Sequence, residues 1–228
     1  MTRLERGREL VAAARAAGVG LTLLGGAAVA ELCESARTGR YARELGDVDL
    51  AGSSRDRSRI IVFAATAGLA PDDVFNGANS DIRLRFLDAD DSHVDVFLDE
   101  LRLCHAIRWG RHPGEGTTLP LPELLLTKTQ VVQLEPKDVS DLSALLTDRW
   151  TEIRDARQRL TDLVRNDWGL WRTTRGTLEH LSTVGDAVVA EHAAEMLTHW
   201  NDIRFGPAAR VRAAIGDRVR WYDEPEEI

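Results

Sequence analysis

Two aspartates separated by one apolar residue, Asp47-Val48-Asp49, stand at the end of the stretch Leu21–Leu50, and no other feature of the chain constrains its folding so sharply. An extended backbone sends alternate side chains to opposite faces, so both carboxylates project to the same side of a strand. At an effective dielectric near 20, two charges that close repel by roughly 3–4 kcal/mol. A folded chain rarely keeps such a pair without a cation beside it. Upstream, the apolar run Leu21–Leu24 ends in Gly25-Gly26 and passes into an Ala-rich stretch of helical character. Paired glycines between a strand and a helix leave room for a phosphate to reach backbone N–H groups at the helix start. Carboxylate oxygens suit Mg²⁺, which usually takes one or two protein carboxylates together with substrate phosphates. The stretch therefore points to metal-dependent phosphoryl or nucleotidyl transfer.

The rest of the composition sets bounds on that reading. At 228 residues, 43% of them apolar and 29% charged, the chain can bury a core as one large domain or two small ones. With 29 basic against 37 acidic residues the net charge is −8, which argues against broad, non-specific duplex binding but leaves room for a local basic pocket. Cys33 and Cys104 lie far apart with no CxxC spacing and read as buried thiols of a reducing compartment. The charged start followed by an apolar run mimics a signal peptide. Arg15 interrupts that run and the Gly-Gly pair lies inside it, so no targeting segment is expected. With no run of 18 apolar residues to span a membrane, the expected compartment is the cytoplasm.

Hydrophobic periodicity orders the elements. Residues 2–17 suit an amphipathic helix stopped by Gly18, Leu21–Leu24 a short buried strand, and Gly26 to about Arg37 a helix. An arginine-rich loop from Thr38 leads into the Asp47/Asp49 strand, and Gly52-Ser53-Ser54 caps a helix near Arg55–Ala67. Pro71–Ser80 reads as turn chemistry, and Ile82–Leu87 and His93–Leu98 as alternating strands joined by a hairpin turn at Asp88–Ser92. Beyond a Gly/Pro-rich connection from Arg108 to Pro122 only helical patterns remain, near 122–134, 137–148, 151–166, 173–184, 186–200 and 207–217. A boundary near residue 118 is expected, with an α/β core over 1–118 and a helical domain over 119–228.

Asp95 interrupts the strand His93–Leu98, where aspartate is depleted. Val94, Val96 and Leu98 share one face and Asp95 the other. It is either a third carboxylate brought to the Asp47/Asp49 pair by a neighbouring strand or a solvent-facing residue on a sheet edge.

In order, Gly25-Gly26, then Arg43-x-x-x-Asp47-Val-Asp49-Leu, then Val94-Asp95-Val96 resemble the DNA polymerase β-type nucleotidyltransferase superfamily. The spacing of Arg43 before Asp47 is most similar to the AbiEii-like toxin branch. That branch also carries a helical Lys, matched by Lys128, and a Lys-Asp-x-x-Asp-Leu segment, matched by Lys137-Asp138-Val-Ser-Asp141-Leu142. The resemblance spans roughly residues 20–146. It implies an α+β fold, a nucleotidyltransferase core with a mixed sheet flanked by helices followed by a helical half. It also implies Mg²⁺-dependent transfer of an NMP from an NTP to an acceptor hydroxyl on a tRNA, a protein or a small molecule. Asp47, Asp49 and Asp95 would be the catalytic metal ligands, and Gly25, Gly26, Arg43, Lys128 and Asp138 the nucleotide contacts. A toxin role, with an antitoxin partner, belongs to the same implication. The alternatives are transfer to an antibiotic-like small molecule and a catalytically silent nucleotide-binding or antitoxin-like module. Gly26 departs from the family, many members of which have Ser there, so only backbone N–H groups could hold phosphate.

Each site residue has a structural reading as well. Lys128 could snorkel from a helix margin, Asp138 and Asp141 could be an N-cap and its partner after Pro136, and Arg43 could fix its loop through Glu44 or Asp47. His192, Glu195 and His199 share a helix face that could bind a metal but reads better as a solvated or inter-helix face. Arg175 and His180 match the Arg-x₄-His spacing of HEPN ribonucleases, with Gly176 where that family favours a polar side chain. Trp168, Trp171, Trp200 and Trp221 are expected to pack the helical half.

Overall fold

The structure is a computed structural model that describes residues 1–110 and 113–224; Arg111 and His112, inside the Gly/Pro-rich connection, lie outside the described residues. Helix α1 (Arg3–Ala16) opens on a capping box, in which the Thr2 side chain accepts from the Glu5 N–H while the Glu5 carboxylate accepts from the Thr2 N–H. Strand β1 (Thr22–Leu23) runs into α2 (Gly25–Leu32). The single helix expected through Arg37 is broken, because Cys33 is extended and a separate α3 (Glu34–Arg37) follows it. Strand β2 (Val48–Gly52), a 3-10 turn (Ser54–Asp56), α4 (Arg57–Thr66) and β3 (Ala70–Pro71) come next.

The stretch read as turn chemistry is in fact helix α5 (Asp73–Asn79). Its proline ends β3 and its aspartates start the helix, since Asp72 accepts from the Phe75 N–H. Asn76 then pins the helix to the following strand, its side chain donating to the Arg85 carbonyl and accepting from the Arg85 N–H. Strands β4 (Arg83–Leu87) and β5 (His93–Leu98) form the expected hairpin, and a ribbon of β6 (Glu100–Arg102) and β7 (Ala106–Arg108), absent from the sequence reading, follows. The remaining elements are helices: α6 (Leu121–Thr129), α7 (Pro136–Asp148), α8 (Trp150–Asp155), α9 (Arg157–Val164), α10 (Trp168–Val184), α11 (Ala187–Asn201) and α12 (Pro207–Ile215). The helix expected over 151–166 is interrupted at Ala156, and α10 begins earlier than expected because Asp167 caps it, accepting from the Leu170 N–H.

The fold is thus of the α+β class, and the chain divides into two compact units. The first comprises Met1–Leu32, Arg43–Leu101 and Ile107–Pro120, and the second comprises Cys33–Ala42, Arg102–Ala106 and the chain from Leu121 onward. The first unit holds a five-stranded mixed sheet in the order β1-β2-β5-β4-β3, with β2 and β5 parallel and the other neighbours antiparallel. One face is apolar: Leu23, Val48, Leu50, Leu84, Phe86, Val94 and Val96 are buried. Helix α1 lies close on it, since a Cβ at Gly7 would collide with Leu23, and Ile60 of α4 and Val96 both crowd the space beside Gly52. The opposite face carries the polar residues of β2, β4 and β5.

In the second unit the indoles of Trp171 and Trp200 each donate to the other's backbone carbonyl, at 2.9 and 3.1 Å, and Trp168 packs edge-on against Trp221. These tryptophans pack the helical half as expected, with Trp168 and Trp200 buried and Trp171 and Trp221 half-buried. Both cysteines are free and buried. Burial, reinforced by the Asp148 carboxylate, pushes the Cys33 thiol up to about 12. Among the described residues no helix is long and apolar enough to cross a membrane.

Candidate active site

The register of the sheet decides where the acidic residues go. In the parallel pair β2–β5, Asp49 lies directly opposite Asp95. Partners across adjacent strands share a face about 4.8 Å apart in backbone spacing, so both carboxylates rise from the same side of the sheet. Asp47 lies at a bend just before β2, and its Oδ1 accepts from the His93 N–H at the start of β5, at 3.4 Å. Asp95 is therefore central, on a strand flanked by β2 and β4. The reading that left it on a solvent-facing edge does not hold.

The glycine pair meets the same carboxylates. Gly25 has φ +61, a conformation open to glycine, and a side chain there would run into the Asp49 carboxylate. At Gly26 a side chain would strike the Arg43 guanidinium, which also donates to the Glu44 carbonyl at 3.1 Å. The absence of side chains at both positions lets Asp49 and Arg43 lie against the backbone at the start of α2. Gly25, Gly26, Arg43, Asp47, Asp49 and Asp95 are thus brought together within the first unit.

Sequence reasoning missed two residues of this site. Arg83 and Arg85 of β4 face the same way as Asp95, whose direct partner across the strands is Arg85. Arg83 Nη2 donates to Asp95 Oδ2 at 2.6 Å and Arg85 Nε to Oδ1 at 3.1 Å. The Asp95 side chain is 4% exposed, against 18% for Arg83 and 14% for Arg85. Phe75 of α5 lies under both guanidiniums, at 5.2 and 4.0 Å from its ring centre, and Phe97 lies 4.7 Å from that of Arg83. The alternation of Ile82-Arg-Leu-Arg-Phe-Leu was the available signal, since it put both arginines on one face of the strand next to Asp95.

This arrangement tests the fit of a metal. Hard carboxylate oxygens from Asp47 and Asp49 beside a glycine turn suit Mg²⁺ held by two protein ligands and substrate phosphate. Asp95 suits it less well, because each of its oxygens already accepts from an arginine. Among the described residues no three Asp, Glu, His or Cys side chains converge as a ready metal centre. Of the three carboxylates expected as ligands, Asp95 carries an arginine on each oxygen.

Lys128 and Asp138, read as nucleotide contacts, belong to the second unit, and each has a structural partner there. Lys128 Nζ pairs with the buried Asp141 at 2.7 Å. Asp138 is the N3 member of a capping box whose N-cap is Glu135, so neither Asp138 nor Asp141 is the N-cap itself. His192 stacks on Trp150 and hydrogen-bonds the Leu146 carbonyl, Glu195 pairs with Arg157, and His199 bonds Thr161, which makes that helix face an inter-helix contact. Arg175 pairs with Glu179 and Asn201.

No protein-family model and no curated protein sequence matches the chain. The solution structure of the antibiotic-resistance factor ANT(2'')-Ia is similar to it over 78% of this chain and 95% of the other, at 15% identity and a TM-score of 0.45. A likeness of that degree does not decide what the site does.

Proposed function

We propose that the chain is a Mg²⁺-dependent nucleotidyltransferase of the polymerase β type, moving an NMP from an NTP to an acceptor hydroxyl. The observation that carries this reading is the parallel register that sets Asp95 opposite Asp49, with the Gly25 turn packed against the Asp49 carboxylate. Asp47 and Asp49 would hold the metal. When bound, the metal neutralises triphosphate charge and orients the reacting groups. The remaining work falls to the chain. Backbone N–H groups at Gly25-Gly26 open a helix and leave space for phosphate oxygens. Arg43, laid against Gly26, adds a guanidinium beside those phosphates. Asp95, with both oxygens occupied, is better suited to holding Arg83 and Arg85 than to taking a proton from the acceptor.

A silent nucleotide-binding module with the same fold is the second reading, favoured by the commitment of Asp95 to arginine. Incubation with Mg²⁺ and each labelled NTP, offered total RNA, protein and small hydroxyl acceptors, separates the two. Transfer with pyrophosphate release by the parent, lost in D47A/D49A, supports the enzyme. Nucleotide binding without transfer to any acceptor supports the silent module.

A further inference from the structure

Asp95 is held by more positive charge than it needs. One guanidinium neutralises one carboxylate, yet two converge on it from alternate positions of β4, each taking a separate oxygen. Counted alone, the two guanidiniums exceed the Asp95 carboxylate by one positive charge, on a face where Asp49 lies directly across the strands from Asp95. The guanidiniums are also fixed, since Phe75 and Phe97 pack against them and limit their rotamers. A guanidinium carries five N–H donors in a planar fork. Asp95 uses one donor from each arginine. Among the described residues no protein acceptor takes the remaining terminal N–H groups, and Arg83 Nε is buried with no partner at all. Two rigid forks with donors to spare match a tetrahedral oxyanion such as phosphate.

Strand order places this site relative to the glycine turn. The turn lies at the end of β1, on one side of β2, whereas the arginines lie on β4, beyond β5 on the other. If the NTP phosphates occupy the turn, an anion at Arg83 and Arg85 belongs to the other substrate. Resting on the nucleotidyltransferase reading, we propose that Arg83 and Arg85, held in place by Asp95 as a positioning residue, form a second anion site that binds a phosphate group of the acceptor.

The test is calorimetric titration of the full chain with inorganic pyrophosphate in EDTA, where no divalent ion can mediate binding. The parent is expected to bind, R83Q/R85Q to bind at least about tenfold more weakly, and D47N/D49N to bind as well as the parent or better. R83Q/R85Q leaves Asp95 buried and unpaired, so R83Q/R85Q/D95N, which removes every charge of the cluster, guards against loss by misfolding and is expected to show the same weakening. Competition by a sugar monophosphate or by a short RNA then tells which kind of acceptor supplies the phosphate. No binding by the parent, undiminished binding in the triple variant, or displacement by neither competitor overturns the proposal. Pyrophosphate binding by a parent that transfers no nucleotide would sink the enzyme reading and with it the word acceptor, leaving the anion site itself standing.

Discussion

Replacing Asp95 with Asn tests the arginine clamp through stability alone. The substitution keeps the side-chain volume and removes the charge that Arg83 and Arg85 share. Removing one partner of a buried ion pair typically destabilises by about 3–5 kcal/mol, mostly because the partner is left charged and desolvated. Here the arginines keep 18% and 14% of their side-chain surface, so water relieves part of the penalty, and the lower end, about 3 kcal/mol, is expected. The triple variant R83Q/R85Q/D95N leaves no orphaned charge and should recover about 1–2 kcal/mol relative to D95N, although it carries more substitutions. Urea unfolding followed by circular dichroism measures both. A loss below about 1 kcal/mol in D95N, or a triple variant no more stable than the single one, would show that the two ion pairs do not hold the sheet face as described.

Gly25→Ala places a side chain at φ +61, which disfavours it by about 1–2 kcal/mol, and drives a methyl group into the Asp49 carboxylate. Nucleotide transfer should fall much further than stability, as comparison of label transfer with urea midpoints would reveal. Lys128→Met leaves the buried Asp141 without its ammonium and should destabilise by about 3 kcal/mol, measured by the same unfolding assay. Cys33 titrates in the unfolded chain near the ordinary thiol value of 9.0 but is pushed up to about 12 when folded. The folded state therefore holds the proton longer: its contribution is constant below pH 9 and is lost as pH rises from 9 toward 12. Cys33→Ala should flatten that part of the parent's stability profile, and an unchanged slope would contradict the burial argument.

The acidic face was legible because strand periodicity is a local property. Asp49 had to leave the apolar face once Val48 and Leu50 were buried, and Val94-Asp95-Val96 had to turn Asp95 away from the core, whereas Asp47 falls at a bend before the strand, where alternation no longer applies. Partnership was not local. Nothing in the alternation of Arg83 and Arg85 said which strand would lie beside them, so the guanidiniums that meet Asp95 were not foreseen. Helix α5 was lost for a related reason, since Pro71-Asp72-Asp73 serves equally as a turn or a cap, and only the hydrogen bonds of Asn76 to Arg85 select the helix. In the helical half, Lys128 and Asp141 looked like separate features because the twelve residues between them hide a contact between α6 and α7.

Crystals grown with Mn²⁺ and a non-hydrolysable NTP would examine the Asp47/Asp49 assignment most directly, since the anomalous signal locates the ion without interpretation. The account requires the ion on Asp47 and Asp49, at coordination distances of about 2.0–2.3 Å, with the phosphates lying along Gly25-Gly26. A nucleotide bound elsewhere, with neither carboxylate touching the ion, would contradict it.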